Sequence, residues 1–334
     1  MLLACDPPTA APAPAAPAPK AALATAPVGY ESRATSAGFS IFIHQAVLAH
    51  PAEAHAVLDT VERSLTEAQV LLGETKVARL RGVRIWIEWE AHDLRERPRG
   101  KAEFHRSRSW LESHGFDGAK ERSIEINDTR GFIEVARTNQ PYALLHELAH
   151  AYELVVLAES DRSVDAAFEA ARRSGAYDAV PRVGGPKGRA YALADAREYF
   201  AETTEAYFGV NDFYPFVREQ LRDVDPIGYA LMERIWGAPP PRVESPLLPC
   251  VAGAKSSFGG VSSALVFMNR SSRSVEIAWI DPSGARAQTT IIAANGELAQ
   301  QTFDGHVFVA SGANGSPCVG WVTASARPSA VVIR

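Results

Sequence analysis

The run His146-Glu147-Leu148-Ala149-His150 constrains this chain most, because it lies inside an apolar stretch, Pro141–Leu157, long enough for a buried helix. Positions i and i+4 of a helix share a face. Two imidazoles on that face can reach one Zn²⁺, and the glutamate between them faces the metal's water. Asn139 is read as the N-cap and Pro141 as a first-turn residue. The plain alternative is a buried helix carrying two hydrogen-bonded core histidines.

A second segment argues against that alternative. In REYFAETTEAYF, Glu198 and Glu202 again stand at i and i+4, close to Tyr199, Phe200 and Ala201. Carboxylates facing a core are expensive unless they bind metal or accept hydrogen bonds. Glu198 is therefore read as the third ligand and Glu202 as the hydrogen-bond acceptor for a ligand histidine. A solvated acidic face is the competing reading. Tyr191, seven residues before Glu198, can approach the same site and donate to a developing oxyanion, although a lone tyrosine is more often a packing residue.

HELAHAY, followed by Tyr-x₆-Glu-x-Phe-Ala-Glu, resembles the catalytic domain of anthrax lethal factor and its relatives, which are zinc-dependent gluzincin peptidases. EYFAETTEAYFGVNDFYPF is also similar to secreted bacterial and fungal members of that group. The resemblance spans about residues 100–226. It implies His146, His150 and Glu198 as zinc ligands, Glu147 as general base, Tyr191 as oxyanion donor and Glu202 behind the ligands. The chain departs from the expected pattern at Glu153, where an apolar run follows the motif. Arg122–Asn127 alternates like a half-buried strand and is proposed as the edge strand that pairs with substrate; an ordinary sheet strand is the alternative.

The 334 residues suffice for two cored domains, and a 22% charged, 46% hydrophobic composition is that of a globular protein. Net charge −5 without a basic run leaves no footprint for nucleic acid or an anionic membrane. Leu2-Leu3-Ala4-Cys5 reads like the end of a lipoprotein signal that lacks its charged and hydrophobic regions, and an Ala/Pro-rich tether follows. The expected location is extracytoplasmic, secreted or tethered to a membrane through Cys5; a chance cysteine is the alternative. In an exported protein Cys250 and Cys318 suggest one disulfide, against two buried free thiols.

Along the chain, Phe39–Val47 and Val83–Trp89 alternate as strands, with Val83, Ile85, Ile87 and Trp89 on one face. Pro51–Leu72 and Asp161–Arg173 have helical spacing. Lys101–Gly118 reads as loop-rich, with His105 or His114 as alternatives for a cleft residue or a packing one. Gly175–Arg189 reads as a loop bordering the site. Helices are expected at Glu198–Phe208, Phe213–Leu221 and Pro226–Trp236. Pro239–Pro249 marks a boundary, and beyond it short alternating runs separated by DPSG, ANG and DG predict a sandwich or small barrel.

That C-terminal part also has a resemblance. SALVFMNRSSRSVEIAWIDPSG and FDGHVFV are similar to the β domain of the von Hippel–Lindau family over about residues 262–324. The family binds a hydroxyproline-containing peptide. The resemblance places Trp279, Thr302 and His306 at its pocket positions, with Thr289 and Phe308 replacing two pocket aromatics. The expected fold class is thus an α+β metallopeptidase domain with an HExxH zinc helix (28–240), followed by an all-β sandwich (241–334), after an N-terminal tether (1–27). The expected function is a zinc endopeptidase acting on proteins or peptides, with hydroxyproline-rich ones as a further expectation. The alternative is a non-catalytic surface lipoprotein with a degenerate peptidase-like domain.

Overall fold

The computed structural model describes residues 24–90, 102–157, 161–313 and 317–334. Cys5 and most of the tether lie outside these residues. Strands β1 (Tyr30–Ala34) and β2 (Ser40–His44) lead into helices α1 (Gln45–Leu48), α2 (Pro51–Leu72) and α3 (Glu74–Leu80). Then come β3 (Arg84–Ile87), β4 (Ala102–His105), α4 (Arg108–Ser113) and β5 (Ser123–Ile126). Helices α5 (Thr129–Thr138), α6 (Ala143–Val156) and α7 (Ser163–Ser174) precede a hairpin of β6 (Val180–Arg182) and β7 (Gly185–Gly188). Helices α8 (Ala196–Phe208), α9 (Arg218–Val224) and α10 (Pro226–Trp236) complete a mixed helix-and-sheet region.

The helix α2 shows how local sequence sets an element here. Pro51 opens it, where no amide donor is needed. Val57, Val61, Leu65, Ala68 and Leu72 recur on one buried stripe, and Gly73, at φ 80°, ends it. The five strands order as β1-β2-β3-β5-β4. β5 runs parallel to β3 and antiparallel to β4. The segment proposed as the substrate-pairing edge is therefore interior; the edge position belongs to β4. All four residues of β5 are buried, including the polar Ser123 and Glu125. β3 differs from a one-faced strand too, since Ile85, Trp86 and Ile87 are all enclosed, with Trp86 edge-on to Tyr30 and Phe42.

Other expectations are corrected locally. Asn139 does not start α6; it ends α5, and α6 begins after Tyr142. Lys101–Gly118 contains a strand and a helix rather than loop alone, and Gly175–Arg189 forms the β6–β7 hairpin. The helix expected at Phe213–Leu221 starts only at Arg218, because Pro215 disfavours helical backbone at the residue before it.

In the C-terminal region, β8 (Val243–Glu244), β9 (Ser262–Asn269), β10 (Val275–Ile280) and β11 (Arg286–Ile292) are followed by β12 (Glu297–Phe303), β13 (Val307–Gly312), β14 (Cys318–Thr323) and β15 (Ser329–Ile333). They form two four-stranded sheets, β11-β10-β13-β14 and β12-β9-β15-β8. Leu265, Phe267, Val331 and Ile333 of one sheet meet Ile277, Phe308 and Val322 of the other in a shared core. In the DPSG turn, Asp281 Oδ1 accepts from the amides of Ser283 (2.8 Å) and Ala285 (2.9 Å), and Gly284 takes φ 91°. Cys250 and Cys318 are bridged, tying the connecting segment to β14. Leu248 pairs with Trp321 of the same strand. The two regions touch where Ala299 and Phe303 of β12 pack on the N-terminal core and Gln220 Nε2 donates to the Ala299 carbonyl at 3.1 Å.

Candidate metal and peptide-binding sites

Helices α6 and α8 pack against each other and bring the sequence-chosen side chains together. Leu144, Leu145, Leu148, Ala149 and Ala151 bury the body of α6, leaving His146 and His150 to share one side. On α8, Asp195 is the N-cap: its carboxylate accepts from the amides of Arg197 (2.8 Å) and Glu198 (3.1 Å). The cap fixes the first turn, and with it the backbone that carries Glu198.

His146 Nε2 lies 3.0 Å from Glu198 Oε2, and His150 Nε2 lies 3.3 Å from the same oxygen. The imidazoles meet nearly perpendicularly, at 80° with centroids 4.8 Å apart. Bonds of about 2.0–2.1 Å at tetrahedral angles put ligand atoms roughly 3.3 Å apart. Both histidine-to-Glu198 distances are near that value, the three ligand atoms lie within 4.8 Å of one another, and the donor chemistry fits zinc. Burial would raise the Glu198 carboxyl, but hydrogen bonds and charge from His146 and His150 outweigh it and hold it far below its usual range. For His146, burial opposes the charged form, but bonds to Glu198 and Glu205 outweigh it and raise the imidazole well above its usual value.

The partner of His146 Nδ1 is Glu205, at 2.7 Å. Glu202, expected in that place, stands 3.8 Å away and accepts instead from Asn211 Nδ2 at 3.1 Å. Glu205 lies seven residues after Glu198, on the same helix face. The i, i+4, i+7 spacing of 198, 202 and 205 was the signal for it, and the Asp195-x-x-Glu198 pattern was the signal for the cap. Burial raises both Glu202 and Glu205 above the ordinary carboxylate value, and each is reinforced by neighbouring acids.

Glu147 is buried, and its Oε2 accepts from the backbone amide of Phe104 on β4 at 2.7 Å. Burial pushes this carboxyl upward, while the two histidines pull the other way. Tyr191 sits in a 3-10 turn just before α8, 43% exposed, and its phenol bonds Glu198; burial first, and Glu198 second, raise it. Ala102, Val135, Gln140, Ala143 and Tyr191 wall a cleft of about 390 Å³, open mouth included. His146, Glu147, Glu202 and Glu205 complete it.

Neither of the other two histidines lines this cleft. His105 points to the far face of the sheet, where its Nε2 meets Glu125 at 2.8 Å. Lys120 bonds Glu88 (2.7 Å) and Glu125 there, and Tyr30 donates to Glu88 at 2.6 Å. His114 is exposed and stacks on Trp110. Glu153, the departure from the peptidase pattern, pairs with Arg106 beside the end of β4 at 2.6 Å.

In the sandwich, Thr302 Oγ1 and His306 Nδ1 are 3.1 Å apart, and the His306 ring lies 5.2 Å from that of Trp279. Trp279 Nε1 is buried and has no hydrogen-bond partner among the described residues. Burial lowers His306, which favours the neutral ring. Phe308 is not part of a surface pocket: it is 4% exposed and packs against Phe267 in the core. Thr289 is exposed on β11, across from Ala278. No family model and no curated protein matches the chain.

Proposed function

We propose that the protein is a zinc-dependent endopeptidase. The observation that carries this is the convergence of His146 Nε2, His150 Nε2 and Glu198 Oε2 beside a buried Glu147 in an open cleft. Bound in that set, zinc would polarise the scissile carbonyl and acidify water. Glu147 takes the proton of the attacking water and hands it to the leaving amine. The Phe104 amide keeps its carboxylate aimed during both transfers. Tyr191, protonated throughout the neutral range, donates to the oxygen on which negative charge develops. Glu205 holds His146 in the tautomer that presents Nε2. As an edge strand, β4 offers backbone groups to an extended peptide.

The test is Glu147→Gln in zinc-loaded protein. Cleavage of an unstructured protein substrate should fall by about 10²–10⁴-fold, with the metal retained. Equal cleavage by variant and wild type would reject the mechanism and favour the non-catalytic reading. The Cys250–Cys318 bridge supports an extracytoplasmic setting. Among the described residues no helix is long and apolar enough to cross a membrane.

The orphaned indole of Trp279 beside Thr302 and His306 favours a second role, recognition of a hydroxyl-bearing peptide by the sandwich, in keeping with its resemblance to a hydroxyproline-binding domain. A hydroxyproline peptide should bind more tightly than its proline twin, and Trp279→Ala should erase the difference. Equal binding of the two peptides by the wild type would remove this role.

A further inference from the structure

The inner wall of the cleft carries more carboxyl groups than the zinc set and its base employ. Glu202 and Glu205 are each 2% exposed and both line it. Three of their four oxygens have a neighbour. Glu205 Oε1 meets His146 at 2.7 Å, Glu202 Oε2 accepts from Asn211, and Glu202 Oε1 lies 3.8 Å from His146. Glu205 Oε2 is buried and has no hydrogen-bond partner among the described residues. Such an acceptor is expensive to enclose unless a donor arrives. His146 is the basic group against both acids, and its Nδ1 serves Glu205 Oε1 alone at bonding distance. A further acid, Asp212, stands behind them and receives the Gln140 amide at 3.1 Å.

Other parts of the same cleft wall have a different character. Ala102, Val135 and Ala143 line it with small apolar groups, with Glu147 beside them. Small apolar groups next to buried carboxyls match a side chain with a methylene stem and a cationic head. Because Glu147 is a wall residue, a side chain entering here belongs to a residue next to the bond being cut. We infer that this slot selects substrates with a lysine or arginine flanking the scissile bond. The inference rests on the peptidase reading and names the substrate class for that site.

The experiment uses the zinc-loaded full chain and peptides identical except at one residue, which is lysine, arginine, norleucine or glutamate, with mass spectrometry locating the cut. The lysine and arginine peptides should be cut at that residue roughly tenfold or more faster than the other two. In Glu147→Gln, which should not turn over, calorimetry should find the lysine peptide bound more tightly than the norleucine peptide by a similar factor. Gln140→Lys, placed on the cleft wall but outside the ligand set, should bring the lysine-to-norleucine ratio close to one while zinc per chain stays at the wild-type value. Efficient cleavage with no cationic preference overturns the slot and leaves the peptidase reading standing. No cleavage of any peptide overturns the peptidase reading and the slot with it.

Discussion

In the N-terminal region, ionisable side chains lie inside: Glu147, Glu202 and Glu205 around the cleft, His150 on α6, and His105, Glu125 and Lys120 behind the sheet. In the sandwich, the core is apolar, with Leu265, Phe267, Ile277, Phe308 and Val331 enclosed, and the covalent tie lies on an exposed surface. A buried charge must be matched by a partner or a metal, whereas an apolar core needs only to fit. The first region therefore holds its ionic groups at a cost in stability and should respond to pH and to metal. The second should respond to reductant, not to metal, and to pH only through His306, whose lowered value favours the folded state above about pH 6.5.

The strongest way to break this contrast is Lys120→Ala. Lys120 is 9% exposed, and Glu88 and Glu125 keep it charged against the effect of burial. Removing it leaves two buried carboxylates without their cation, with Tyr30 and His105 as their remaining partners, so unfolding free energy should fall by about 3–5 kcal/mol. Hydrogen exchange should rise across β3, β4 and β5. A loss below about 1 kcal/mol in a denaturant titration would mean the network is not held as a buried ionic unit.

The next effect belongs to the other region. Replacing both Cys250 and Cys318 by Ser opens a closure of 68 residues and should remove about 2–4 kcal/mol. The gain in exchange should be confined to β8–β15. Increased exchange in α6 and α8 would show that the regions are one cooperative unit.

The pH response comes third. In metal-free protein, Glu202 sits above its usual 4.5 and His146 above its usual 6.5. A raised folded value means the folded state holds protons that the unfolded state releases. The Glu202 contribution is thus complete below about pH 4.5, and that of His146 below about pH 6.5; both fade as pH rises through the folded values. The melting temperature of the zinc-free protein should fall between pH 5 and pH 8, with the sandwich contributing little. A flat or rising profile would contradict the buried-acid account.

The smallest expected effect sharpens the boundary between the regions. Arg327 of the sandwich reaches Glu67 of α2 at 3.3 Å, but its side chain is 69% exposed. Arg327→Ala should change stability by less than about 1 kcal/mol. A larger loss in thermal unfolding would make the interface a principal support of the fold.

Much of this arrangement was legible in the chain, and the exceptions have physical causes. The apolar run around HELAH marked α6, and alternating Val, Ile and aromatic residues marked β9, β10, β13, β14 and β15. β4 was missed because Ala102–His105 alternates weakly and His105 is buried by a partner, Glu125, from another strand. β11 and β12 were missed because RAQTTII and ELAQQTF sit at sheet edges and bury few side chains. Asn139 looked like a cap for α6 but serves the preceding helix, since a short turn containing Pro141 separates the two. His146, His150, Glu147 and Glu198 were chosen by spacing along two helices. Glu205 and the Phe104 amide were not, because which acid meets Nδ1 and which strand borders Glu147 depend on how α8 and β4 pack against α6.

Zinc per chain, measured by elemental mass spectrometry on purified full-length protein, tests the central claim most directly. The account predicts a value near one, lost in His150→Ala and in Glu198→Ala and retained in Glu147→Gln. A value near zero after reconstitution with zinc, or a value unchanged by Glu198→Ala, would contradict it.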